Sequence, residues 1–123
     1  MRNKLMALVI GGLLMLGQSV SANQTMTTQE LQSKLNAKEN FVLLDVRTQE
    51  EYNAGYIAGA ILLPYDEINA KATIVLPDKE KEIVLYCRSG RRSAIAKKSL
   101  LDLGYQKVVD FGGVKRWEGE LVK

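Results

Sequence analysis

The 123-residue sequence contains no histidine, a single cysteine and only two prolines. Without histidine there is no imidazole base, no Ser-His or Cys-His dyad and no zinc site of the Cys/His kind. One cysteine cannot close an internal disulfide, so the fold must be held by its core. With 46% hydrophobic residues the chain is large enough to do this as one small domain. Any nucleophilic chemistry has to be activated without a histidine.

Long apolar runs are also scarce, with one exception. Leu5 to Leu16 is apolar, follows Arg2 and Lys4, and leads into Gly17-Gln18-Ser19-Val20-Ser21-Ala22, whose small residues are spaced for cleavage after Ala22. That is the layout of a secretory signal peptide, and the run is shorter than the roughly 20 residues that cross a bilayer. The expected organisation is a signal peptide over residues 1–22, a polar leader over 23–26 and one domain over 27–123. The expected compartment is the periplasm, with no stable membrane association after cleavage. Removing the segment takes away two basic and no acidic residues, so the net charge falls from +3 to +1. That balance argues against a nucleic-acid binder. In an oxidising compartment a single retained thiol calls for an explanation.

Along the mature chain, helix and strand signals alternate. Thr27 with Glu30 and Thr48 with Glu51 form capping-box pairs, predicting a helix to about Ala37 and a short one that stops near Gly55. Phe41 to Val46 and Ile83 to Tyr86 read as strands buried on both faces, and Ala60 to Leu63 as another strand ended by Pro64. Tyr65 to Ala72 reads as a helix, Pro77-Asp78-Lys79 as a turn, and Ser93 to Leu103 as a helix stopped by Gly104. Val108-Val109 is a last short strand, Gly112-Gly113 a turn, and Val114 to Leu121 a helical turn around Trp117. The fold class is α/β, with a mainly parallel sheet covered by helices on both faces.

The chemistry gathers at one point. Cys87 follows directly on the strongest strand, and Arg88-Ser89-Gly90-Arg91-Arg92-Ser93 leads from it into a helix. Open parallel sheets place their sites at the C-terminal ends of strands. A tight glycine-containing loop can turn its N–H groups inward as an anion nest. The helix adds its positive dipole end, and three guanidinium groups stand within five residues of the thiol. A free thiol is only a few per cent ionised at neutral pH, and each of these features favours thiolate. The same field attracts a small anionic electrophile. Cys87 is therefore the candidate nucleophile for covalent group transfer from a sulfur or phosphorus oxyanion. Alternate side chains around a tight loop point away from its centre, which leaves Arg91 the least tied of the three arginines. Asp45 and Arg47 read as an ion pair joining loops, and Trp117 as a plug at the end of the core.

These residues resemble the rhodanese family of sulfurtransferases. Cys87, Arg88, Gly90 and Arg92 meet its loop pattern, Cys-Arg-x-Gly-x-Arg or Thr. Leu44-Asp45-Val46-Arg47 with Glu51-Tyr52, then Gly55-Tyr56-Ile57-Ala58-Gly59-Ala60 and Pro64, resemble its first signature. Phe111-Gly112-Gly113-Val114 with Trp117 resemble its second. The likeness runs from about Glu30 to Trp117, and a single domain behind an export signal is similar to the exported members. It implies a doubly wound, five-stranded parallel sheet and a ping-pong cycle without metal or cofactor. Cys87 would carry sulfane sulfur from thiosulfate to cyanide or a thiol. Arg88 and Arg92 would orient the sulfonate, and Ser89, Gly90, Arg91 and Ser93 would supply backbone or hydroxyl donors. The chain is expected to act as a monomer. Tyr56 departs from the histidine usual at that position of the first signature, which is structural rather than catalytic.

Two other functions share parts of this pattern. Cysteine-dependent phosphatases and arsenate reductases use Cys-x5-Arg, but here Arg92 is five residues after Cys87 and Ser93 is the sixth. The smaller ring suits one sulfur atom better than a tetrahedral phosphoryl group. Non-catalytic rhodanese-like binding modules often lack the cysteine that this chain keeps.

Overall fold

The computed structural model describes residues 26–123. The signal-peptide assignment and most of the leader lie outside the described residues. The domain is built from α1 (Thr28–Asn36), β1 (Phe41–Asp45), α2 (Gln49–Ala54), β2 (Ile61–Leu62), α3 (Ile68–Val75), β3 (Glu82–Cys87), α4 (Arg91–Asp102) and β4 (Val108–Gly113). Short 3-10 turns cover Tyr65–Glu67 and Val114–Arg116.

The sheet has the order β2-β1-β3-β4, and every pairing is parallel. The four strands placed from sequence are the four observed among the described residues, one fewer than the five the family resemblance implies. Alternation along β1 and β3 sorts the core into two faces. Leu44, Ile83, Leu85 and Cys87 pack with Ile68, Ala72, Ala96 and Leu100 of α3 and α4. Leu43, Val84 and Tyr86 pack with Leu31 of α1, Ile57 and Phe111 on the other face. Helical cover on both faces is what lets β1 and β3 be continuously apolar.

Local sequence explains where the elements start and stop. Thr27 and Thr48 each accept the N–H of the residue three positions on, and the Glu30 and Glu51 side chains return the contact to the cap N–H. At the end of α4, Gly104 adopts a left-handed φ of 100°. Its N–H reaches the Leu101 carbonyl and the Tyr105 N–H the Leu100 carbonyl, the paired closure of a Schellman stop.

Several expectations need correction. Helix α4 begins at Arg91, two residues earlier than Ser93, because left-handed Gly90 completes the reversal on its own. The segment from Tyr65 starts as a 3-10 turn and becomes α-helical only at Ile68, running on to Val75. The helical turn after β4 is confined to Val114–Arg116, and the chain then extends to an antiparallel bridge between Tyr56 and Val122. Gly112-Gly113 is not a turn but the end of β4. Leu85 pairs with Asp110 while Tyr86 pairs with Gly112, so one extra residue bulges at Phe111. The bulge needs the left-handed φ of 99° at Gly112, and it brings Gly113 level with Cys87.

Asp45 and Arg47 form the expected ion pair, almost wholly buried. The Asp45 carboxylate accepts from the Arg47 backbone N–H at 3.0 Å, from Nε at 2.9 Å and from Nη2 at 2.7 Å. Nη2 also donates to the Gly55 carbonyl at 2.7 Å, tying the end of β1 to the end of α2. Burial, then the charge of Asp45, pushes the Tyr86 phenol far above its ordinary range. Its oxygen accepts the Ile57 N–H at 3.1 Å. The first signature is thus a hydrogen-bonded clasp beneath the sheet's C-terminal edge.

Candidate active site

Cys87 ends β3 with its side chain buried at 1% exposure. The chain leaves the sheet through Arg88 and Ser89, both exposed, and reverses at Gly90, whose φ is 113°. That conformation costs an L side chain energy, whereas the space beside Gly90 is open, with nothing within 4 Å of an added Cβ. Glycine is therefore required here for the backbone alone. The reversal turns the Gly90 N–H back onto Cys87 Sγ at 2.9 Å. Ser93, fully buried, donates its hydroxyl to the Gly90 carbonyl at 3.0 Å and locks the turn from inside.

The loop rests on β4. An added Cβ on Gly113 would stand 2.5 Å from the Arg88 carbonyl oxygen and 2.8 Å from Ser89 Cα. Only a residue without a side chain lets the two backbones approach so closely. The second glycine, read from sequence as turn punctuation, is thus a seat for the cysteine loop.

The three arginines have different surroundings. Arg88 is exposed and shares a shallow pocket of about 240 Å³ with Lys115, Arg47 and Glu51, walled by Val114 and Leu121. Arg91 is exposed, its guanidinium 6.0 Å from the centre of the Tyr65 ring. Arg92, read from sequence as a ligand of the sulfonate, is paired with Glu51. Its Nη1 donates to Oε1 at 2.7 Å and its Nη2 to Oε2 at 2.9 Å. The Arg92 guanidinium, helped by Thr48 against partial desolvation, holds the Glu51 carboxyl down at about 2. The same carboxylate raises the Arg92 guanidinium further.

The loop thus joins Gly90 to both Cys87 and Ser93, leaves Arg88 and Ser89 exposed, and holds Arg92 on Glu51. Sequence reasoning missed Glu51, Gly113 and Lys115 as neighbours of the site. Glu51 was legible only as a helix cap, because its second partner lies 41 residues away. Among the described residues no cluster of three or more cysteine or acidic side chains could hold a metal ion.

A parallel α/β sheet with one cysteine at a central strand's C-terminal end, wrapped by a basic loop that enters a helix, defines the rhodanese class of fold and site. The chain belongs to the rhodanese-like domain family, whose model matches residues 27–120. It is 38% identical over 72 residues to the thiosulfate sulfurtransferase PspE of Escherichia coli, spanning 58% of this chain and 69% of that protein. Over 91 residues it is 34% identical to a sulfurtransferase of Allochromatium vinosum, spanning 73% of this chain and 83% of that one. A solved structure of a rhodanese with anions from E. coli superposes with a TM-score of 0.62 at 35% identity, covering 67% of this chain and 96% of the other. Sulfurtransferase is the enzyme class these two relatives share. No helix among the described residues is long and apolar enough to cross a membrane.

Proposed function

We propose that the protein is a thiosulfate sulfurtransferase that works through a persulfide on Cys87. The Cys87 sulfur attacks the outer sulfur of thiosulfate, the S–S bond of the donor breaks, and sulfite leaves with the bonding electrons. Cyanide or a thiol then attacks the bound sulfane sulfur, and the Cys87 thiolate is the leaving group. The observation that carries this reading is the Gly90 N–H held at 2.9 Å from Cys87 Sγ. A backbone donor aimed at the sulfur is placed to solvate a charged persulfide without any imidazole. Arg88, Ser89 and Arg91 at the mouth orient the incoming anion, with Arg88 the nearest in sequence to the sulfur. Ser93 acts through Gly90 and does not touch the donor.

The basic start, apolar run and small residues over positions 1–22 support export to the periplasm. The test is a thiocyanate assay with thiosulfate and cyanide on the wild type and Cys87→Ser, together with the intact mass after incubation with thiosulfate alone. The expected result is Cys87-dependent thiocyanate and a gain of one sulfur atom on the wild type. Absence of both would overturn the reading.

A further inference from the structure

Glu51 stands where two otherwise separate parts of the site meet. On one side it belongs to the first turn of α2. Its Oε1 accepts from the Thr48 backbone N–H and hydroxyl, each at 3.1 Å, so the carboxylate is fixed relative to the end of β1. On the other side both of its oxygens engage Arg92, the second residue of α4. Two parallel contacts fix the orientation of a guanidinium as well as its distance. Arg92 lies two residues beyond Gly90, so the contact reaches the turn that aims the Gly90 N–H at Cys87.

The loop has few other supports. Arg88 and Ser89 are exposed, the Ser93–Gly90 contact is internal to the turn, and Gly113 supports the loop only from the β4 side. We infer that Glu51 is a positioning residue for the transfer reaction, holding the cysteine loop in register through Arg92. Arg92 is accordingly a brace of the loop and not the principal ligand of the donor anion. Because Glu51 neutralises Arg92, attraction of the anion falls to Arg88 and Arg91. The inference rests on the proposed function in taking Cys87 as the nucleophile.

The competing role, Arg92 as sulfonate ligand with Glu51 merely occupying it between turnovers, predicts a different kinetic signature. Freeing the guanidinium would then lower KM for thiosulfate and leave kcat intact. If Glu51 positions the loop, Glu51→Gln lowers kcat about tenfold or more and leaves KM within about threefold, as loss of geometry in the reacting state requires. Arg92→Lys keeps the charge but only a single-point contact, and it is expected to lower kcat in the same manner by a smaller factor. Thr27→Ala removes the equivalent capping box from α1, which packs on the sheet face opposite Cys87 and α4, and serves as the control for a purely structural loss. It should lower the melting temperature and leave both constants unchanged.

The experiment measures kcat and KM for thiosulfate with cyanide, melting temperature, and the rate of Cys87 alkylation by neutral iodoacetamide at fixed pH. Alkylation should change at least about fivefold in Glu51→Gln and stay within twofold in Thr27→Ala. An unchanged kcat, or a fall in KM alone, overturns the inference. If the wild type made no thiocyanate, the proposed reaction would fail. The alkylation comparison would still decide whether Glu51 governs the loop, and an unchanged rate would overturn that role too. Should Glu51→Gln fail to fold, Arg92→Lys decides the matter by the same kcat-against-KM comparison.

Discussion

Gly113→Ala adds a single methyl group at a position whose own backbone tolerates it, since φ is −96°. All of the expected damage is therefore steric and directed at one place. The new Cβ would meet the Arg88 carbonyl oxygen at 2.5 Å, and the Ser89 Cα and carbonyl carbon at 2.8 and 3.0 Å. Ordinary contact begins near 3.4 Å, so the loop has to retreat by about 0.9 Å. All three obstructing atoms are backbone, so no side chain can rotate away to absorb the shift. Overpacking of this kind costs about 1–3 kcal/mol of stability. A displacement near 1 Å at a reacting group costs about 10²-fold in rate, because it carries the Gly90 N–H off Cys87. The assay pairs kcat/KM for thiosulfate with a denaturant titration. Gly59→Ala is the control: φ is 93° and no atom lies within 4 Å of the added Cβ. That variant should lose roughly 1–2 kcal/mol to backbone strain alone and keep its activity. Gly113→Ala activity within twofold of the wild type would refute the role of Gly113 as the seat of the loop.

Three further outcomes are expected. The Glu51 carboxyl is held at about 2 against an ordinary 4.5, so its contribution to stability is fully present above pH 4.5 and disappears as pH falls through 2. For a partly exposed pair that contribution is about 1–2 kcal/mol, and the stability gap between wild type and Glu51→Gln should shrink over that window; a gap independent of pH would contradict it. Asp45→Asn leaves the buried Arg47 guanidinium without its counter-charge and should cost about 3–5 kcal/mol in denaturant titration. A loss below about 1 kcal/mol would show that the pair is dispensable. Tyr56 stacks on Tyr52 with ring centres 4.1 Å apart, so Tyr56→His should alter stability modestly and raise turnover by less than tenfold; a larger gain would give that position a part in catalysis.

What could be read from sequence was local. The capping boxes at Thr27 and Thr48, the buried strands and the stop at Gly104 all depend on residues within a few positions of one another. The strand, cysteine, glycine loop and helix could be read together for the same reason. What escaped was decided by distant backbone. Gly112-Gly113 carries the usual mark of a turn, yet a bulge opposite Leu85 and Tyr86 and the approach of Arg88 are what call for glycine there. Arg92 belongs to a run of three loop arginines, and nothing within that run distinguishes the one that Glu51 captures from across the sheet's edge. Arg91 and Arg92 fall inside α4 because Gly90 takes the whole reversal, a conformational detail that the loop's charge pattern does not encode.

The end of the chain has a consequence for how the molecule comes into being. Val122 exchanges two backbone hydrogen bonds with Tyr56. The Arg116 guanidinium reaches the Met26 carbonyl, and the Glu118 N–H reaches the Thr28 hydroxyl, each across 90 residues. Helix α1 and the Tyr56 segment therefore receive their final partners only when the last part of the polypeptide is available. During vectorial synthesis those partners arrive last, so the contacts that close α1 and the Tyr56 segment are among the last that can form.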